Sequence, residues 1–320
     1  MTKEIEQKLR DEIRDLLETG KVDHIIGYEA GSLKFSTTPL ITGDKADVDR
    51  LVINPFIYNN LSVFLRDMCG KVGIVAKKCD ARSIVSLIQS QQIARENVFI
   101  IGVPCGGIID LAKVEKLTGL DRDEIDDIVW QKEKAVVTFG GNTREFPAKE
   151  VLADACLGCA PSDFPEYDIF IGESESLVAG KDLGRNKIKE LEEMAPAQRW
   201  EFWKNEFSRC IRCYACRQIC PACFCNRCFV EETEPLYISP VPKWQDNLFF
   251  QAIRMLHVAG RCTNCGECER ACPVNIPLGA LSKKMEEIVE ELFEYRAGMD
   301  KDAPPLMTAY QLEECEDLIR

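Results

Sequence analysis

Residues 210–221 read CIRCYACRQICP, and residues 262–273 read CTNCGECERACP. Both are the string C-x2-C-x2-C-x3-C-P. Three cysteines in so tight a loop can wrap three corners of an iron–sulfur cube. The fourth is carried away on the following helix and reaches a second cube instead. The spacing therefore predicts crossed ligation: one [4Fe–4S] cluster on Cys210, Cys213, Cys216 and Cys272, and another on Cys262, Cys265, Cys268 and Cys220. Each closing proline fixes the backbone and removes an N–H donor.

Zinc is the alternative for clustered thiols. Zinc tetrads split into two short Cys or His pairs across a long gap, which two complete copies of this string do not match. From Glu201 to Leu281 the chain resembles the bacterial two-cluster ferredoxins, and the resemblance implies a mainly helical domain. The departure is the long stretch between Pro221 and Arg261. There Phe249, Phe250, Ile253, Leu256 and His257 have helical spacing, which predicts an inserted helix with His257 packed in its core. Trp200, Trp203 and Phe207 lie three and four residues apart, as a core face or as an aromatic shield over a cluster. After the second string, residues 276–298 predict an amphipathic helix capped near Gly298.

Composition supports a reduced, metal-binding protein. The chain has 320 residues, 17 cysteines, only two histidines and a net charge of −13. The opening residues are charged, with no apolar secretory core, and Ile5, Leu9, Ile13, Leu16 and Leu17 mark an amphipathic helix. A cytoplasmic location follows as an expectation, and there thiols mean metal or redox work rather than disulfides. So acidic a chain is a poor match for nucleic acid, and no apolar run is long enough to span a membrane. Signatures for nucleoside triphosphates and nicotinamide dinucleotides are missing.

The first half reads as α/β, with a small parallel sheet and helices. Val72–Ala76 and Val98–Val103 are short β-branched strands, each followed by a turn and a helix, and Tyr167–Ile171 is a third strand. Cys79 and Cys105 follow the first two strands, so both thiols emerge at the carboxyl end of the sheet, where such folds bind ligands. Asp80 or Ser83 can cap the helix behind Cys79. Cys156 and Cys159 precede the third strand. Cys79, Cys105, Cys156 and Cys159 form a candidate third cluster, with single buried thiols as the plainer reading.

The turn GVPC at 102–105 and the run CLGCAPSDFPEYDIFIGE at 156–173 resemble the beta subunits of the coenzyme F420-reducing (deazaflavin-reducing) hydrogenases and related formate dehydrogenases, over about residues 50–180. That resemblance implies a [4Fe–4S] cluster at Cys105, Cys156 and Cys159, a flavin (FAD), and electron exchange between a deazaflavin and a metal enzyme. Cys79 is a geometric addition to this set. The nearest candidate for a flavin cradle is YEAGSLKFSTTPL at 28–40, equally readable as strand and loop; the cofactor-binding residues stay unknown.

The expected organisation is an α/β domain at 1–195, a two-cluster domain at 196–298, and a C-terminal tail at 299–320. Three cysteines are surplus: Cys223, Cys225 and Cys228. They are candidate additional ligands, for a further metal site, for the third cluster, or for a zinc staple between domains. Cys69 and Cys315 read as isolated. The function that follows is electron transfer inside a multi-subunit anaerobic complex, between a hydrogenase or formate dehydrogenase and a heterodisulfide-reductase-like or flavin partner. The alternative is a flavin subunit with its own deazaflavin oxidoreductase site.

Overall fold

The structure, a computed structural model, describes residues 3–131, 133–159, 164–173 and 184–306. Cys315 and most of the expected tail lie outside the described residues. Helix α1 (Lys3–Glu18) buries Leu9, Ile13 and Leu16. Strands β1 (His24–Ala30) and β2 (Thr37–Thr42) form an antiparallel hairpin. The flavin-cradle candidate is thus the two strands and their connecting loop.

Strand β3 (Val72–Ala76) is buried at every residue and leads into α2 (Lys78–Gln89). It pairs in parallel with β1 and with β4 (Val98–Gly102), so a continuous apolar run suits its doubly covered position. Beyond β4 come α3 (Leu111–Thr118), then β5 (Asp127–Gln131), β6 (Lys134–Phe139) and β7 (Asn142–Pro147). These three strands form a separate antiparallel sheet that the sequence reading missed. Its signal was the pair Gly140–Gly141, both at positive φ, in the turn between β6 and β7.

Helix α4 (Ala148–Val151) returns the chain towards strand β8 (Ile169–Phe170). The expected five-residue strand is therefore two residues long. It closes the main sheet, whose order is β2-β1-β3-β4-β8. The sheet is parallel except at β2.

The rest is helical: α5 (Asn186–Glu193), α6 (Pro196–Ser208), α7 (Ala215–Gln218), α8 (Trp244–Val258), α9 (Glu267–Arg270) and α10 (Leu278–Phe293). Helix α10 stops at Glu294, in the left-handed region, and not at Gly298. Gly298 has another task. Its φ is +71°, and a side chain there would collide with the Arg82 carbonyl, so it lets residues 297–298 lie flat on α2.

Helix α8 is the inserted helix, but its buried face is not the expected one. Asn247, Phe250, Gln251, Arg254, Met255 and Val258 face inward. Phe249, Leu256 and His257 are exposed, with His257 against the Phe229 ring. Trp203 stacks on the buried Phe207 at 5.5 Å, beside the core that holds Cys216 and Cys268, whereas Trp200 is half-exposed against Trp244.

Candidate iron–sulfur centres

The doubled string is doubled in conformation. In the first copy Arg212 and Tyr214 have positive φ; in the second, Asn264 and Gly266 do, at the same two places. Each pair is followed by a single helical turn, α7 or α9. Alternating left- and right-handed residues turn successive N–H groups inward and make a concavity for an anion. Three non-glycine residues held at positive φ are costly in a free loop.

The thiols collect in sets. Burial pushes the Cys210 thiol up, and Cys216, Cys272 and Cys213 are close enough to add to the shift. Burial likewise raises Cys265, with Cys220, Cys262 and Cys268 as its charged neighbours. Cys262 and Cys268 are both pushed up to about 11 by burial, with Cys220 acting in the same sense. The two sets meet where Cys268 neighbours Cys216.

Thiol sulfurs accept backbone hydrogen bonds: the Ile276 N–H donates to Cys272 Sγ and the Ile108 N–H to Cys156 Sγ, each at 3.4 Å. N–H donors to sulfur, an inward-turned loop and four thiols to a set all fit an iron–sulfur group.

In the α/β half, β3 and β4 pair from Val72↔Val98 to Ala76↔Gly102, which carries Cys79 and Cys105 out at one end of the sheet. Asp80 Oδ2 accepts from the Lys77 N–H at 2.9 Å and closes the start of α2. Gly107, at φ +99°, has Leu152 Cδ2 only 2.5 Å from where a Cβ would stand, with Cys156 Cβ next to it. This close approach brings residues 152–159 over the Cys105 turn.

A cavity of about 760 Å³ results, lined by Cys79, Cys105, Cys156 and Cys159 together with Cys265 from the second string. Burial pushes the Cys105 thiol up to about 12, with Cys156 adding to it. Cys79 lies well above the usual thiol range, through burial and then Asp80, with Cys265 and Cys105 among its charged neighbours. The four candidate residues of the third set thus share one space, and Cys265 is the link to the second set.

Beside that space is a buried group the sequence reading did not find. Lys77 Nζ bonds Asp80 Oδ2 and Asn59 O, both at 2.9 Å, and Tyr28 OH, with Lys77, Asp80 and Tyr28 all shielded from solvent. Burial works against the Lys77 charge, but Asp80, Cys79 and Cys105 outweigh it and raise its pKa.

The surplus thiols have different neighbours. Cys223 turns inward to Cys220 and Arg254. Cys228 lies near Arg217 and Tyr214, and Cys225 is exposed. Among the described residues no group of three or more His, Cys, Asp or Glu is gathered around one ion position, so the zinc staple gains no support. Cys69 is free and exposed. Among the described residues no helix is long and apolar enough to cross a membrane.

A family model for the C terminus of the coenzyme F420 hydrogenase/dehydrogenase beta subunit matches residues 69–223, and a 4Fe-4S dicluster domain matches residues 206–276. The F420-dependent formate dehydrogenase subunit beta of Methanocaldococcus jannaschii is 31% identical over 298 aligned positions, covering 74% of this chain and 76% of that protein. The F420-dependent formate dehydrogenase 1 subunit beta of Methanococcus maripaludis is 26% identical over 359 aligned positions, covering 91% and 90%. Among solved structures, a chain of the F420-reducing [NiFe] hydrogenase complex from Methanosarcina barkeri aligns with a TM-score of 0.42 and 16% identity, over 66% of this chain and 91% of that one. On the family models and the M. jannaschii relative, the chain belongs to the beta-subunit family of the coenzyme F420-dependent hydrogenases and formate dehydrogenases, with a 4Fe–4S dicluster domain in its helical half.

Proposed function

We propose that the chain is the iron–sulfur relay of a soluble, cytoplasmic, multi-subunit oxidoreductase. Cys210, Cys213, Cys216 and Cys272 would hold one [4Fe–4S] cluster. Cys262, Cys265, Cys268 and Cys220 would hold a second, and Cys79, Cys105, Cys156 and Cys159 a third. Clusters of this type store and pass single electrons, at potentials set by charge, hydrogen bonding and exposure. The domains divide near residue 195, so the third set belongs to the α/β domain and the other two to the helical one.

One observation carries the reading: the three thiol sets are contiguous. Cys265 neighbours Cys79 on one side and Cys220 on the other, and Cys216 neighbours Cys268. Electrons entering at the cavity thus have a continuous series of sites leading to Cys213, which is exposed. Judged by the names of the relatives, the electrons would come from formate or hydrogen chemistry or from a reduced deazaflavin; the exit to a heterodisulfide-reductase-like or flavin partner is the sequence expectation carried forward.

A second reading gives the chain a flavin of its own. The cavity is of ligand size and carries Lys283 and Arg296 among its lining residues, cations suited to a dinucleotide's phosphates. A flavin there would join a two-electron hydride carrier to one-electron sites. Iron, sulfide and flavin per chain in anaerobically purified protein test both readings. About twelve irons support three clusters and about eight only two. Folded, iron-free protein refutes the relay, and protein without flavin refutes the second reading.

A further inference from the structure

Beside Phe250, which packs on Tyr214, the inserted helix α8 turns a polar stripe towards the doubled string. Asn247, Gln251 and Arg254 are four and three residues apart, so they share one helix face, and they are 1%, 1% and 4% exposed. Asn247 Nδ2 donates to Phe207 O at 2.8 Å and to Cys210 O at 2.9 Å, which pins the start of the first string. One turn on, Gln251 Nε2 points at Cys216 Sγ from 3.6 Å. Arg254 follows, with Cys268, Cys220, Cys223 and Cys216 as its charged neighbours. Cys216 belongs to the first thiol set; Cys220 and Cys268 belong to the second.

Among the described residues, Arg254 Nε and Nη1 have no hydrogen-bond partner. An arginine cannot shed its proton to escape burial, and an uncompensated buried charge is among the most destabilising features a fold can carry. The charges facing this guanidinium are sulfurs from both sets together with Cys223. The site makes sense when those sulfurs carry negative charge, and the need grows when an electron is added.

We propose that Arg254 is a shared tuning residue, one buried cation standing between the two cysteine sets of the dicluster domain and raising the reduction potentials of both clusters together. The proposal rests on the relay reading of these eight cysteines. It explains why the insertion between the strings is a helix with a polar inner face. Because Arg254 belongs to neither set, its fixed positive charge acts on both sides at once. No residue of the third set is among the charged neighbours of Arg254 given above, so that set serves as an internal reference.

The test is an anaerobic redox titration of the purified chain, followed by electron paramagnetic resonance, on wild type, Arg254→Met and Arg254→Lys, with iron counted on each sample. Loss of the charge in Arg254→Met is expected to weaken reduction of both dicluster centres at least tenfold, a fall of about 59 mV for one electron. Arg254→Lys is expected to stay near wild type, and the third centre not to move. Unchanged potentials in an iron-replete Met variant, or a shift at one centre only, overturn the proposal. If the Met variant loses its iron, Arg254→Gln takes its place. If neither neutral variant keeps iron while Arg254→Lys does, the charge itself is required and the proposal stands. If Arg254→Lys also loses its iron, the residue is a packing element and the proposal falls. Iron-free, folded wild type would refute the relay reading first, and this proposal with it.

Discussion

Arg82 joins the two halves of the molecule, and removing it should be strongly destabilising. It lies one turn after Cys79 on α2, and its guanidinium is directed entirely to the helical half. Nε donates to Ala297 O at 3.0 Å, Nη1 to Thr263 O at 3.2 Å, and Nη2 to Glu286 Oε1 at 2.8 Å. The side chains of the ion pair are 6% and 14% exposed. Ser83 continues the seam with a 2.9 Å bond to Thr263 Oγ1.

Deleting one member of a buried pair costs about 3–5 kcal/mol, because the other charge is stranded. Glu286 keeps Asn264 Nδ2 and, at 3.7 Å, Arg296 Nε. Arg82→Met should therefore fall at the low end, about 3 kcal/mol, roughly a hundredfold in the unfolding equilibrium. Anaerobic urea unfolding, followed by cluster absorbance and tryptophan fluorescence, measures it. The exposed pair Lys8–Glu4, 63% and 74% exposed, is the control: Lys8→Ala should cost under about 0.5 kcal/mol. Arg82→Met at less than about 1 kcal/mol would refute the claim that this contact fixes Thr263, and hence Cys265, against the Cys79 wall.

Three further outcomes are expected. Gly107→Ala forces a Cβ against Leu152 from an unfavourable φ of +99°; it should cost about 1–3 kcal/mol and reduce the iron count from about twelve towards eight by displacing Cys156, which iron analysis and thermal unfolding will register. Asn247→Leu removes the donor to Phe207 O and Cys210 O and should destabilise by about 1–3 kcal/mol, with cluster loss from the first set ahead of the second on chelator challenge. Iron uptake by cluster-free protein should increase with pH. Burial holds Cys262 and Cys268 protonated up to about 11, so each ligation expels a proton and tightens as pH rises towards that value; uptake that does not change between about pH 7 and 9 would contradict this.

The eight cysteines of the doubled string, the two central strands and the thiols that follow them were all legible, because spacing and β-branched runs are local signals. The separate antiparallel sheet was missed although Gly140–Gly141 announced its tight turn. The strand at 167–171 was overestimated because only Ile169 and Phe170 find a partner, on β4. The Cys223–Cys225–Cys228 run looked like one ligand set because sequence proximity hides direction: a residue's place in the chain does not say which way its thiol points.

The error on α8 has a more general physical cause. Apolar periodicity identifies the buried face of a helix only when the neighbour it meets is apolar. On α2 and α8 the neighbour is a second domain's backbone or a set of sulfurs, and both helices bury polar side chains there: Arg82, Ser83 and Ser86 on one, Asn247, Gln251 and Arg254 on the other. Of the apolar residues of α8 that the pattern selected, Phe250 is buried, whereas Phe249 and Leu256 are 43% and 55% exposed. Buried polar groups are tolerated only where hydrogen bonds or charge compensate them. Those on α2 find carbonyls and a carboxylate, whereas Nε and Nη1 of Arg254 find no such partner among the described residues. The helix that the apolar pattern misread is therefore the one that buries a cation, Arg254, and the sulfurs of the doubled string are what that cation meets.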